Sequence, residues 1–222
     1  MYKRQEHSPF EKLQVHLRQE RLLPRTIDNY TLSRIFSAAY SDLRESQSNN
    51  HYFVSMRDVA VLELLFATGV RVSELCSITC ENLNLQNQVV LIKGKGSKER
   101  CIYISSPPVI SALASYSALR TTIDSPDPYF FLNRDKHRLS EQSVRRIICR
   151  YTPTDAAHYT PHMFRHSFAT YLWEQCGNIY EVKEILGHSS VKTTERYVHA
   201  SFEQQKRILT TMHPRNTLKI EF

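Results

Sequence analysis

The chain has 222 residues, enough for one sizeable core with a short appendage and too few for two full domains. Its hydrophobic content of 41% is ordinary for a globular protein; no run approaches the roughly 18 apolar residues that span a bilayer, and the first residues lack the apolar centre of a secretory signal. The net charge of +7 attracts polyanions, nucleic acid being the commonest, though charge alone does not decide that partner.

Five cysteines, Cys76, Cys80, Cys101, Cys149 and Cys176, are odd in number and lack CxxC spacing. They are read as reduced core thiols of a cytoplasmic protein, not as a disulfide framework or a zinc site. Abundant Leu, Ile, Arg and Glu favour helix over strand, so a mainly helical fold is expected.

Residues 1–21 are polar and read as an arm or the remnant of a preceding segment. After Pro24 a helical pattern runs to Leu43, and Ser46 to Asn50 reads as a polar linker. An apolar helix from Met56 to Thr68 stops at Gly69, a residue suited to the left-handed conformation past a C-terminus. Arg71 stands just beyond it, and Ser73 opens a second short helix. Val89 to Ile92 and Cys101 to Ile104 read as a hairpin around Gly94-Lys95-Gly96-Ser97, the one clear strand signal.

Pro107 and Pro108 end the second strand, and helix resumes from Val109 to Leu119. Tyr129 to Leu132 is a short buried run. Ser140 caps a helix to Arg150; Thr160 caps another that starts at Pro161 and ends near Cys176-Gly177. Glu181 to Leu186 is closed by Gly187, Ser189 or Ser190 caps a helix carrying Tyr197, and a last helix spans about Phe202 to Met212.

His162 and Arg165 are three residues apart in the first turn of their helix, where free backbone N–H groups favour an anion. An isolated HxxR is more often a solvated surface pair, and one tyrosine among twelve is more often core than nucleophile. Read together, however, Ala67 to Leu75 around Arg71, Lys93 to Arg100 around Lys95, Thr160 to Thr170 around His162 and Arg165, Leu186 to Ser190 around His188, and Thr194 to Tyr197 resemble the tyrosine recombinase, or phage integrase, signature in order and spacing. The resemblance covers about Leu22 to His213 and is nearest to the bacterial Xer and phage integrase branch.

That resemblance implies a mainly α catalytic domain with a small antiparallel β-sheet over residues 22–213, followed by a tail at 214–222. It implies a site-specific recombinase that cuts and rejoins double-stranded DNA through a 3′-phosphotyrosyl intermediate on Tyr197. Arg71 and Arg165 would hold the phosphate, His162 would act as base, His188 would position the phosphate, and Lys95 on the hairpin tip would protonate the departing 5′-oxygen. Glu74 would orient Arg71 or a neighbouring group instead of touching DNA. The roles suit the chemistry: guanidinium forks match a phosphate bearing developing charge, and a phenol needs help to lose its proton during attack.

Lys93, Lys98, Arg100, Arg145 and Arg146 are candidate DNA contacts, and Lys93 and Lys98 could be confused with the catalytic Lys95. Arg150 shares the helix of Arg145 and Arg146, and a solvated basic face reads equally well there. No cofactor and no metal are expected, because the phosphotyrosine conserves the phosphodiester energy and the arginines neutralise the phosphate. The implied partners are DNA, further copies forming a tetramer on DNA from free monomers, and DNA-bending accessory proteins, with no membrane. Relatives place a helical clamping domain before the catalytic one. The short polar segment here reads as a fragment's linker around Pro9-Phe10, or as a short member without the clamp. A monomeric nicking and resealing enzyme and a catalytically silent DNA-binding regulator are the alternatives.

Overall fold

The computed structural model describes residues 26–94, 99–187 and 198–220. The expected N-terminal arm, Lys95, Lys98, His188, Tyr197 and the helix cap at Ser189 or Ser190 lie outside them.

The fold is organised around one helix. α1 (Asn29–Arg44) precedes α2 (Asn49–Thr68), in which every residue from Val54 to Thr68 is buried. A helix enclosed on all sides is mostly apolar around its circumference, and Arg57, Asp58 and Glu63 are buried with it. α1, α4 (Pro107–Thr121) and α6 (Pro161–Cys176) pack against α2, and α5 (Glu141–Tyr151) bridges α1 and α6. Phe36 of α1, Phe66 of α2 and Phe164 of α6 meet in series, tilted and then edge-on, with centroid separations of 6.0 and 6.5 Å. The same α6 that carries the HxxR motif is thereby locked to the core.

α2 begins seven residues before the apolar run that announced it. Ser48 caps it by accepting from the His51 amide at 3.2 Å, and the polar first turn, expected as linker, is helix with a wet face. Pro107 and Pro108, expected to end a strand, also open α4, because the first helical positions need no backbone donor. Ser140 and Thr160 cap α5 and α6 as expected. Gly177 closes α6 in the left-handed conformation, and α7 (Ile179–Ile185) follows.

The sheet is antiparallel in the order β1 (Leu83–Asn84), β2 (Val89–Lys93), β3 (Glu99–Tyr103). β1 was not foreseen, since two residues are too few to show alternation. In the β2–β3 register Val90 faces Ile102, and Ile92 faces Arg100. Val90, Ile92 and Ile102 are buried, so the period of two places Arg100 on the inward face. The cysteines have no disulfide partner, but only Cys76 is buried; Cys80, Cys101 and Cys149 are exposed, correcting their reading as core thiols.

α8 (Val198–Met212) leads into a 3-10 turn at Pro214–Thr217 that packs onto the domain. The residues expected as a tail therefore start inside the core. Arg215 donates to both carboxylate oxygens of Glu63 on α2, at 2.7 and 2.6 Å, and Tyr40 donates to Glu63 at 2.8 Å. His213 bonds the Ala67 carbonyl through Nε2 at 2.7 Å and accepts the Arg215 amide at Nδ1, 3.0 Å. Only the neutral imidazole satisfies both contacts. Burial, with nearby Arg215 in support, holds its pKa down at about 4.

This pH linkage is open to measurement. The unfolded chain takes up the His213 proton near the ordinary value of about 6.5 while the folded chain resists it down to about 4. The contribution is therefore complete above about pH 6.5 and is lost as pH falls toward 4, by roughly 3 kcal/mol over the window. Urea unfolding between pH 7 and 4.5 should show a shallower pH slope for His213→Gln than for the parent chain; parallel slopes would contradict the assignment.

Candidate active site

Three chain reversals converge at one end of α2. α2 stops at Gly69, which adopts φ 57° and whose amide donates to Leu65. A Cβ at Gly69 would stand 2.5 Å from Phe168 and 2.9 Å from Leu186, so both backbone conformation and space require glycine. The Gly69 carbonyl then accepts from the Arg165 guanidinium, and a second Arg165 nitrogen donates to the Leu186 carbonyl at 2.9 Å. Arg165 is 6% exposed and is held by the ends of two helices besides its own.

Arg71 is the N-cap of α3 (Val72–Leu75), extended at φ −69° and ψ 149°. Glu74, three residues on, accepts the Arg71 amide at 2.9 Å and an Arg71 guanidinium nitrogen at 3.0 Å. From β3, Arg100 donates to both oxygens of the same carboxylate at 3.0 and 2.8 Å. A carboxylate offers about four lone-pair sites, and these four bonds occupy them. Burial by itself would raise the Glu74 pKa, but the Arg100 and Arg71 contacts outweigh it and hold the group at about 2. Glu74 is 7% exposed while the Arg71 side chain remains 48% exposed, so the carboxylate steadies an arginine whose head is open to solvent.

The electrostatics leave the site short of negative charge. Arg165 is pulled down to about 10, first by burial and then by the nearness of Arg71 and Arg100, with Glu74 opposing only in part. Three guanidinium groups around one carboxylate carry two positive charges in excess, a standing attraction for a phosphate. His162 is exposed in the first turn of α6, on the same helix face as Arg165.

The structure thus brings Arg71, Glu74, Arg100 and Arg165 into one cluster. Lys93 is exposed at the end of β2. Arg145 and Arg146 are exposed on α5, Arg145 in a loose contact of 3.3 Å with Glu141. Arg150, read as part of the same basic face, instead donates to buried Asp58 at 2.8 Å, alongside Arg57. Arg100 likewise is engaged inside the protein, with a side chain only 18% exposed, contrary to its reading as a DNA contact. Sequence reasoning missed the Glu63–Arg215 pair, whose signal was a carboxylate inside the apolar run from Val59 to Phe66. Among the described residues no three His, Cys, Asp or Glu side chains gather as a metal site.

The Phage integrase family profile matches residues 38–204. The chain is 40% identical over 210 residues to a tyrosine recombinase of Agathobacter rectalis, covering 94% of this chain and 69% of that protein. It is 34% identical to tyrosine recombinase XerC of Bacillus subtilis, covering 95% and 68%. Among solved structures, the XerH site-specific recombinase bound to its difH substrate superposes with a TM-score of 0.62 at 26% identity, covering 87% of this chain and 51% of that one. The chain belongs to the phage integrase family of tyrosine recombinases. It spans between half and about two thirds of the length of these relatives.

Because Gly69 both ends α2 and presents its carbonyl to Arg165, Gly69→Ala should destabilise the chain by roughly 2–4 kcal/mol through the left-handed backbone and the Phe168 overlap. Chemical denaturation measures it, and a loss below about 1 kcal/mol would contradict the packing described.

Proposed function

We propose that the chain is a site-specific DNA recombinase whose reaction centres on a backbone phosphate gripped by Arg71 and Arg165. The observation that carries this reading is the excess positive charge of the cluster. Two arginines, one buried and one half-exposed, are fixed in place before any ligand arrives, so little reorganisation is needed when charge develops on the non-bridging oxygens.

The Tyr197 hydroxyl attacks phosphorus, the phosphorus–5′-oxygen bond breaks, and a 3′-phosphotyrosine forms. His162 accepts the phenol proton, Lys95 gives a proton to the departing 5′-oxygen, and His188 hydrogen-bonds the phosphate. A new 5′-hydroxyl then attacks the phosphotyrosine and reverses these transfers, which requires neither cofactor nor metal. Lys93, Lys98, Arg145 and Arg146 supply backbone contacts that position the duplex without reading its sequence. Residues from about 22 through Leu218 form the catalytic domain, since His213 and Arg215 are part of its core. On DNA, copies assemble as a tetramer, with accessory proteins bending the duplex; the setting is the cytoplasm, and the outcome is integration, excision or inversion.

The test is covalent capture from a library of nicked random-sequence duplexes, in which the short cleaved fragment diffuses away and the adduct resists detergent. The parent chain should form the adduct and Tyr197→Phe should form none. Arg165→Lys should slow capture by about 100-fold, because an ammonium cannot reproduce the forked contact. An adduct that survives Tyr197→Phe, or a parent chain that forms none, would overturn the reading.

A further inference from the structure

We propose that Arg100 is a positioning residue of the recombination reaction: a strut that ties the β2–β3 hairpin to Glu74 and to the Gly187 turn, setting the hairpin lysine and the segment after Gly187 about one phosphate. This rests on the recombinase reading and replaces the role of Arg100 as a DNA contact.

Three observations on different elements support it. First, the alternation that buries Ile102 turns Arg100 inward, so it leaves the sheet on the protein side. Second, both terminal nitrogens are spent on Glu74, the carboxylate that also holds Arg71. To reach DNA, the guanidinium would have to leave a buried carboxylate half-partnered, a costly exchange for a surface contact. Third, the arm of Arg100 lies flush against Gly187. That glycine has φ 64°, and a Cβ there would stand 2.7 Å from Arg100 Cδ and 2.8 Å from Nε. The Arg100 Nε is buried against this turn with no hydrogen-bond partner among the described residues.

The consequence is mechanical. Residues 95–98 join β2 to β3, the strand that carries Arg100, and the chain leaves Gly187 directly for His188 and, nine residues later, Tyr197. One side chain therefore touches the bases of two segments expected to deliver proton donor, phosphate ligand and nucleophile. It also shares the charge of Glu74 with Arg71, so that Arg71 is oriented without being neutralised. Without Arg100, Glu74 has only Arg71 as partner, and the hairpin loses its tie to the site.

The experiment uses the full chain and a nicked duplex captured by the parent chain from the random library. Adduct formation is timed at saturating protein, and affinity is measured separately across a salt series for Arg100→Ala, Arg100→Lys, Glu74→Gln and the Arg100→Ala/Glu74→Gln double variant. Arg100→Ala should slow capture by about 100-fold, the scale expected for slight misplacement of reacting groups, with affinity held within about twofold. Arg100→Lys should recover part of the rate, and the double variant should be no slower than the slower single one, since both act through one contact. A lost DNA contact would behave differently: the salt slope would fall by about 1 and saturating protein would restore the rate. That outcome, unchanged capture by Arg100→Ala, or losses that multiply in the double variant overturn the proposal. If Arg100→Ala does not fold, the same split between rate and affinity is read on Arg100→Lys. A parent chain without adduct sinks the recombinase reading instead.

Discussion

The Glu74 carboxylate is the constraint on which the site depends. Arginine heads repel one another, and burying one of them among others is unfavourable unless an anion is fixed in their midst. Glu74 fulfils that requirement with all its oxygens, taking Arg71 from its own turn and Arg100 from the sheet. It leaves Arg165 to be held by neutral carbonyls instead. The arrangement neutralises one charge of three and no more. That residue of positive charge lets the same geometry be stable alone and still favour a phosphate.

The scaffold serves this cluster by fastening the C-terminal part of α2 to distant parts of the chain. At the site end, Gly69 lets Phe168 and Leu186 approach the backbone closely, which brings α6 and α7 to Arg165. Further along, Glu63 is a buried charge inside an apolar helix, and its partner Arg215 arrives from the far end of the sequence. With His213 on Ala67, this pair fastens the end of α8, the helix that directly follows Tyr197 in sequence. The segment that follows Tyr197 in sequence is thus packed on its own domain by buried polar contacts, not by apolar burial alone.

Much of this was readable from residues whose local physics admits few alternatives. Gly69, Gly177 and Gly187 marked helix ends because left-handed backbone is cheap only there, and Ser140 and Thr160 marked helix starts because their side chains can bond the free amides. The signature residues Arg71, Glu74 and Arg165 do gather. What failed to show were features decided by partners far away in sequence. The start of α2 has an exposed polar first turn, indistinguishable in composition from a linker, and β1 is held by two residues of pairing. Arg100 looked like a surface cation because arginine usually is one, and only Glu74 turns it inward; Arg150 stays exposed while one of its nitrogens reaches buried Asp58. In the case of Arg100 a clue was present: counting back by two from Ile102 places it on the buried face.

The most direct measurement of the central claim is nuclear magnetic resonance of the arginine side-chain nitrogens in labelled protein, titrated with a captured duplex. Arg100 should show a slowly rotating guanidinium whose signals stay in place when DNA is added, while the signals of Arg71 and Arg165 move together as the phosphate arrives. Movement of Arg100 with them, or an Arg165 that does not respond to DNA, would contradict a site in which Glu74 retains Arg100 and leaves the other two for the phosphate.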